Sequence, residues 1–158
     1  MLLEDEQGHP LHWDPADMPV PFRMVAGNVP GGAAGEREVQ RAFATWSKTS
    51  TNLEYAFTGF DGEGLSDQDG ENVVLWYYAS WPHDPRAVGI SVHYFDSRSG
   101  RILESDVRFN AEHHSWSIGG EGFDVQNAAA HEAGHVGGLG HTAVQEATMS
   151  ADIAPGET

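Results

Sequence analysis

His131-Glu132-Ala133-Gly134-His135-Val136-Gly137-Gly138-Leu139-Gly140-His141 holds three imidazoles, a carboxylate beside the first of them, and glycines where a helix has to stop. The run before it, Ala128-Ala129-Ala130, is good helix material. Residues four apart on a helix share a face, so His131 and His135 aim their rings at a common point. Two His at that spacing with Glu beside the first form a pattern that holds zinc in hydrolases. Glu132 sits one residue round the helix and can reach a water at the metal without ligating it. His141, six residues past His135, lies off that helix face. Glycine enters left-handed backbone conformations and commonly ends helices, so a sharp turn at Gly138 would swing His141 under the metal. Three imidazoles with one open position describe a catalytic zinc, whereas structural zinc is closed by four protein ligands. A helix with two His at this spacing is most often just a helix with two histidines; Glu132, Gly138 and His141 together argue otherwise.

The eleven residues fit H-E-x-x-H-x-x-G-x-x-H, and Met149 follows within His141-Thr142-Ala143-Val144-Gln145-Glu146-Ala147-Thr148-Met149. In this the chain resembles the metzincins, and among them the matrixins of the compact bacterial and plant type. Position 151 is Ala where astacin-like and serralysin-like members carry Tyr, and the chain lacks the cysteines of the archaeal type. The likeness extends upstream through Pro21-Phe22-Arg23-Met24-Val25, Glu38 to Trp46 and Gly100 to Asn110, and spans residues 18–150. Only the zinc motif and the Met-turn are diagnostic.

The resemblance implies an α+β metzincin-like catalytic domain: a twisted, mostly parallel five-stranded sheet with an antiparallel edge strand, and two main helices. It implies one catalytic Zn2+ on His131, His135 and His141, with Glu132 as general base in hydrolysis of a protein or peptide substrate. Met149 would form a hydrophobic floor under the three His. Asn127, four residues before His131, would shape the pocket for the side chain after the cut. Gly89-Ile90-Ser91-Val92-His93 would lie on the sheet edge above the cleft, where an extended peptide can add its own main-chain hydrogen bonds. Two other readings stay open: a zinc-binding module of the same fold that cleaves nothing, and a hydrolase acting on a non-peptide amide.

The departures from the family pattern carry their own expectations. Without cysteine, the cysteine-switch latency of animal matrixins cannot operate within this chain. Met149-Ser150-Ala151 lacks the Pro and Tyr that usually follow the Met-turn, and a C-terminal helix is expected to be missing. Animal matrixins hold a second, structural zinc with three His and one Asp. His83, Asp84 and His93 supply part of such a set, but Arg108 stands where the resemblance places another His. A guanidinium offers no lone pair and repels a cation, so one zinc is expected rather than two.

The rest of the chain bounds this reading. At 158 residues it is one domain of ordinary size, and a formal net charge of −16 argues against nucleic acid and anionic membrane surfaces as partners. No apolar run approaches the roughly 18 residues of a membrane span. Met1-Leu2-Leu3 leads straight into Glu4-Asp5-Glu6, unlike a secretory leader. A secreted monomer is the expectation, its leader already removed. Residues 1–19 carry Pro10, Pro15 and Pro19 and read as an extended, mobile lead-in, with the catalytic domain at 20–158. His9, His12, His113 and His114 read as solvated.

Strands are expected at 20–25, 53–58, 73–78, 89–95 and 102–110, and a helix at 36–47 with Val39, Ala42, Phe43 and Trp46 on its apolar face. Asp124 is placed to cap a second helix of about fourteen residues ending at Gly137-Gly138. The acidic, glycine-rich stretch 61–71 reads as a plain loop. Calcium is possible there but not predicted, because the glycine placement fails the EF-hand spacing.

Overall fold

Alternation along Val20–Val25 turns Val20, Phe22 and Met24 inward, and this strand, β1, lies inside the sheet. A computed structural model of the chain describes residues 1–48, 52–62 and 67–157. The other long strands are β2 (Tyr55–Asp61), β3 (Val73–Tyr77), β4 (Gly89–Asp96) and β5 (Arg101–Asn110), in the spatial order β2-β1-β3-β5-β4. Neighbours are parallel except β4, which runs antiparallel along β5 at the edge. A short parallel pair, β6 (Trp116–Ser117) and β7 (Phe123–Asp124), leads into the second helix. This is the mostly parallel sheet with an antiparallel edge expected from the resemblance. No helix follows the second one among the described residues.

Boundaries moved where local chemistry was not visible in the pattern. Strand β2 starts later than expected and runs on through Gly59, because a bulge sets Phe22 opposite Phe57 and Arg23 opposite Gly59. Gly59 has φ 127°, which only glycine adopts freely. Helix α1 (Ala33–Trp46) begins three residues earlier than expected, on Ala33 and Ala34, both strong helix formers. Val39, Ala42 and Phe43 of α1 are buried, and Phe43 stacks on Phe22 at 4.1 Å between ring centroids. Helix α2 (Val125–Val136) is twelve residues long. Both helices join the core formed with β1, β3 and β5.

The expected mobile lead-in is instead docked. Leu3 N–H donates to the Gly138 carbonyl at 2.8 Å, Gly140 N–H to Met1 at 2.9 Å, and Leu11 N–H to Leu3 at 2.8 Å. Ile102 N–H donates to the His12 carbonyl at 2.7 Å, and the Trp13 indole to Val136 at 2.8 Å. Residues 2–12 thus form a hairpin that ties the Gly138–His141 turn to the start of β5. The signal for it was present: Leu2-Leu3 and Leu11 flank the polar turn Asp5-Glu6-Gln7-Gly8.

On the outer face of β5, Glu104, Asp106 and Arg108 are buried under residues 67–72. Glu104 accepts from Gln68 N–H at 2.9 Å and Gly70 N–H at 2.6 Å, and Arg108 pairs with Asp67 at 2.5 Å. Part of the stretch expected as a plain loop, 63–66, lies outside the described residues. Asp106 accepts from Val73 N–H at 3.0 Å, but among the described residues its other oxygen has no hydrogen-bond partner and lies 3.7 Å from Arg108. Burial, more than any neighbour, pushes its carboxyl from the ordinary 3.8 up to about 7. A folded-state pKa raised this way gives stability that is fully present below the ordinary value and lost as pH rises through about 7. Asp106→Asn should therefore reduce the fall in urea midpoint between pH 5 and pH 8, since Asn keeps the acceptor for Val73. Identical pH slopes for the two proteins would refute this.

Candidate metal centre

Asp124 caps α2, its carboxylate accepting from Asn127 N–H at 2.9 Å and Gly119 N–H at 2.8 Å. The other end closes with two bonds, Gly138 N–H to His135 at 2.7 Å and Leu139 N–H to Gly134 at 3.0 Å. That pairing is the Schellman arrangement, which needs a left-handed residue at the position Gly138 fills with φ 85°. A Cβ there would also strike the Leu11 carbonyl of the hairpin. The turn at Gly138 was readable from the sequence; the hairpin backbone pressed against it was not.

The turn brings His141 to the two helix histidines. The Nε2 atoms of His131 and His135 lie 3.0 Å apart, and each is 3.1 Å from His141 Nε2. His131 Nδ1 lies 2.7 Å from the Thr148 carbonyl, and His135 Nδ1 lies 2.7 Å from the Leu139 carbonyl. A carbonyl only accepts, so in the neutral rings the proton sits on Nδ1 and Nε2 presents a bare lone pair. Lone pairs converging this closely repel unless a cation lies among them. Tetrahedral zinc with Zn–N bonds of about 2.0–2.1 Å sets its nitrogens about 3.3 Å apart, close to the observed triangle. Among the described residues this is the only His/Asp/Glu group of three or more whose ligand atoms lie so close. The set fits zinc. Burial pushes the His131 imidazole down to about 4 and lowers His135 as well, which favours the neutral, ligating form of both rings.

Glu132 is 4% exposed and stands beside the triad. Burial pushes its carboxyl up to about 7, against a downward pull from the Ser91 hydroxyl. Met149 is buried, with its sulfur against Gly134, where a Cβ would collide with it and with the Trp46 ring. The glycine inside the motif thus lets the Met-turn close up under the helix. Thr148, the residue before Met149, supplies the carbonyl that orients His131.

These groups open into a cleft of about 660 Å³, lined by Gly89, Ile90, Ser91 and His93 of β4 together with the three histidines and Glu132. Asn110 N–H donates to Val88 at 2.9 Å, and alternation along the antiparallel ladder then turns the main-chain groups of Gly89, Ser91 and His93 away from β5. The side chain of Val92 points to the opposite face from Ser91. Asn127 is not among the cleft-lining residues. It borders a separate depression of about 500 Å³, and its amide donates to the Glu157 carbonyl at 3.3 Å. The sequence reading missed Leu3, Glu4 and Leu11 of the hairpin, Arg86, and residues 151–153, all of which line the cleft.

Among the described residues, the parts of a second metal set are not brought together. His93 faces the cleft, where burial pushes its ring down to about 4 and neither nitrogen has a hydrogen-bond partner. His83 feels the charge of Arg108 instead, and the Asp84 carboxylate is taken up by Arg86 at 2.8 Å. His113 Nδ1 lies 3.2 Å from the Asn110 side chain, and His114 packs on Phe123.

Comparison with known proteins agrees with this geometry. The chain is 36% identical over 112 residues to stromelysin-3 of Rattus norvegicus, covering 71% of this chain and 21% of that protein. It is 39% identical over 90 residues to stromelysin-3 of Homo sapiens, covering 56% of this chain and 18% of that one. Karilysin of Tannerella forsythia is 30% identical over 119 residues, 72% of this chain and 23% of its own length. The chain therefore spans about a fifth of the length of the curated relatives it matches. The matrixin family model matches residues 22–157, which takes in most of β1 and the three histidines and runs past Met149. With the fold, the triad and this match in agreement, the chain belongs to the matrixin family of zinc-dependent metalloproteases.

Proposed function

We propose that this chain is a zinc-dependent endopeptidase in which Glu132 is the general base. The observation that carries the reading is the convergence of three Nε2 atoms beside one buried carboxylate, in a cleft walled by an edge strand. His131, His135 and His141 would hold the zinc ion, which when bound would supply Lewis acidity towards a carbonyl and an attacking water. Glu132 accepts the proton of the attacking water and passes it to the leaving amine. The free main-chain groups of Gly89, Ser91 and His93 align an extended peptide along β4, and Ile90 and Val92 set the neighbouring surface. Asn127, which borders the neighbouring depression, is read as shaping the pocket for the side chain after the cut. The catalytic unit spans 20–158, with residues 1–19 docked on the ligand loop. The protein acts as a secreted monomer; among the described residues no helix is long and apolar enough to cross a membrane. A non-cleaving zinc module is the second reading, and the placement of Glu132 in the cleft is what speaks against it.

Casein cleavage tests the proposal. The purified protein should carry close to one zinc per chain after mild dialysis, lose activity on chelation, and regain it with one equivalent of zinc. Full zinc loading without cleavage of any peptide would favour the module. A stable content near two, falling to one on His83→Ala or His93→Ala, would overturn the single-metal reading.

A further inference from the structure

The Glu132 carboxylate is held from β4. The Ser91 hydroxyl lies 2.8 Å from Glu132 Oε2 and 3.3 Å from the Glu132 carbonyl, and among the described residues no other hydrogen bond to that carboxylate is seen. Two strand positions earlier, on the same face, Gly89 leaves room for the other oxygen. A Cβ there would stand 2.9 Å from Glu132 Oε1 and 2.8 Å from the Phe109 ring, and Phe109 is fully buried. One oxygen is therefore tied to a donor, and the other sits without one beside a gap that only glycine leaves.

We propose that Ser91 is the positioning residue of the general base, anchoring Oε2 so that Oε1 is the oxygen that takes and returns the proton. Glu has three rotatable bonds, and an unanchored carboxylate in the cleft would lose this alignment. Gly89 completes the device, because any larger residue displaces Oε1 or the Phe109 ring. The strand that receives the peptide on its outward main chain thus aims the base with its inward side chains. An apolar residue at 91 would leave Oε2 buried without that donor.

The inference rests on Glu132 acting as the base, so the test reads two independent quantities. The zinc-loaded wild type, Ser91→Ala and Ser91→Thr are compared on one peptide, with zinc content measured for each. Ser91→Ala should lower kcat by about 10- to 100-fold, the range for a hydrogen bond to a charged group, with KM within about twofold. Ser91→Thr, which keeps the hydroxyl, should restore most of kcat. The second quantity is the urea midpoint of the zinc-loaded wild type, Ser91→Ala, Glu132→Ala and the double variant. A contact between the two side chains makes the effects non-additive, so Ser91→Ala should matter much less once Glu132 is gone. Unchanged kcat in Ser91→Ala, an equal loss in Ser91→Thr, or additive midpoints would each overturn the assignment. If the wild type cleaves nothing, the hydrolase reading fails, while the cycle still reports whether Ser91 holds Glu132.

Discussion

Glu132→Ala is expected to abolish peptide hydrolysis while leaving zinc in place. The three Nε2 nitrogens are the group that could hold a metal, and Glu132 is not among them, so the substitution takes away the proposed base and keeps the proposed ligands. The loss should fall within or beyond the roughly 10²- to 10⁴-fold that positioned acid–base groups contribute. Stability should change little. The carboxylate is buried and burial already disfavours its charge, so removing it takes away a cost along with its contacts. The Ser91 hydroxyl still has the residue-132 carbonyl, 3.3 Å away, as an acceptor. Casein turnover and zinc content, measured on the same preparation, decide the matter. Turnover near the wild-type rate would remove Glu132 from the mechanism.

His141→Ala should cost more zinc affinity than any change at His9, His12, His113 or His114. Two imidazoles on one helix face remain after the substitution, and two ligands do not make a catalytic zinc site. The fall should exceed the roughly 10- to 100-fold typical of losing a partner that merely orients a ligand. The other four histidines have unrelated roles. His9 pairs with Asp5 at 2.9 Å, His12 Nδ1 lies 2.9 Å from the Pro10 carbonyl, and His113 and His114 stand by Asn110 and Phe123. Dialysis against a chelator that leaves the wild type loaded should strip His141→Ala and spare a His113/His114 double variant. Equal loss from that double variant would show that the third ligand had been misassigned.

Much of the fold and of the metal centre was legible in residue order because its physics is local. Four-residue spacing puts His131 and His135 on one face, Asp124 can cap only a helix that starts after it, and Gly138 is free to turn left-handed. The alternation in Val20–Val25 and the apolar run in Val73–Tyr77 likewise marked two sheet strands directly. What the residue order could not contain is anything set by chains meeting from far apart. The hairpin at 2–12 reads as a tail until its main-chain groups find Gly138 and Gly140, more than a hundred residues on. His83 and His93 look like partners in sequence, yet their surroundings differ, one under the charge of Arg108 and one in the cleft. Ser91 read as a substrate contact because it lies on the edge strand. Only the packing of α2 across β4 shows its hydroxyl 2.8 Å from the Glu132 carboxylate. Spacing along the chain therefore determined which histidines converge and which turn places them. Tertiary packing decided how the Glu132 carboxylate is held and what walls the cleft, because strand register and helix docking are sums of weak contacts that no short window records.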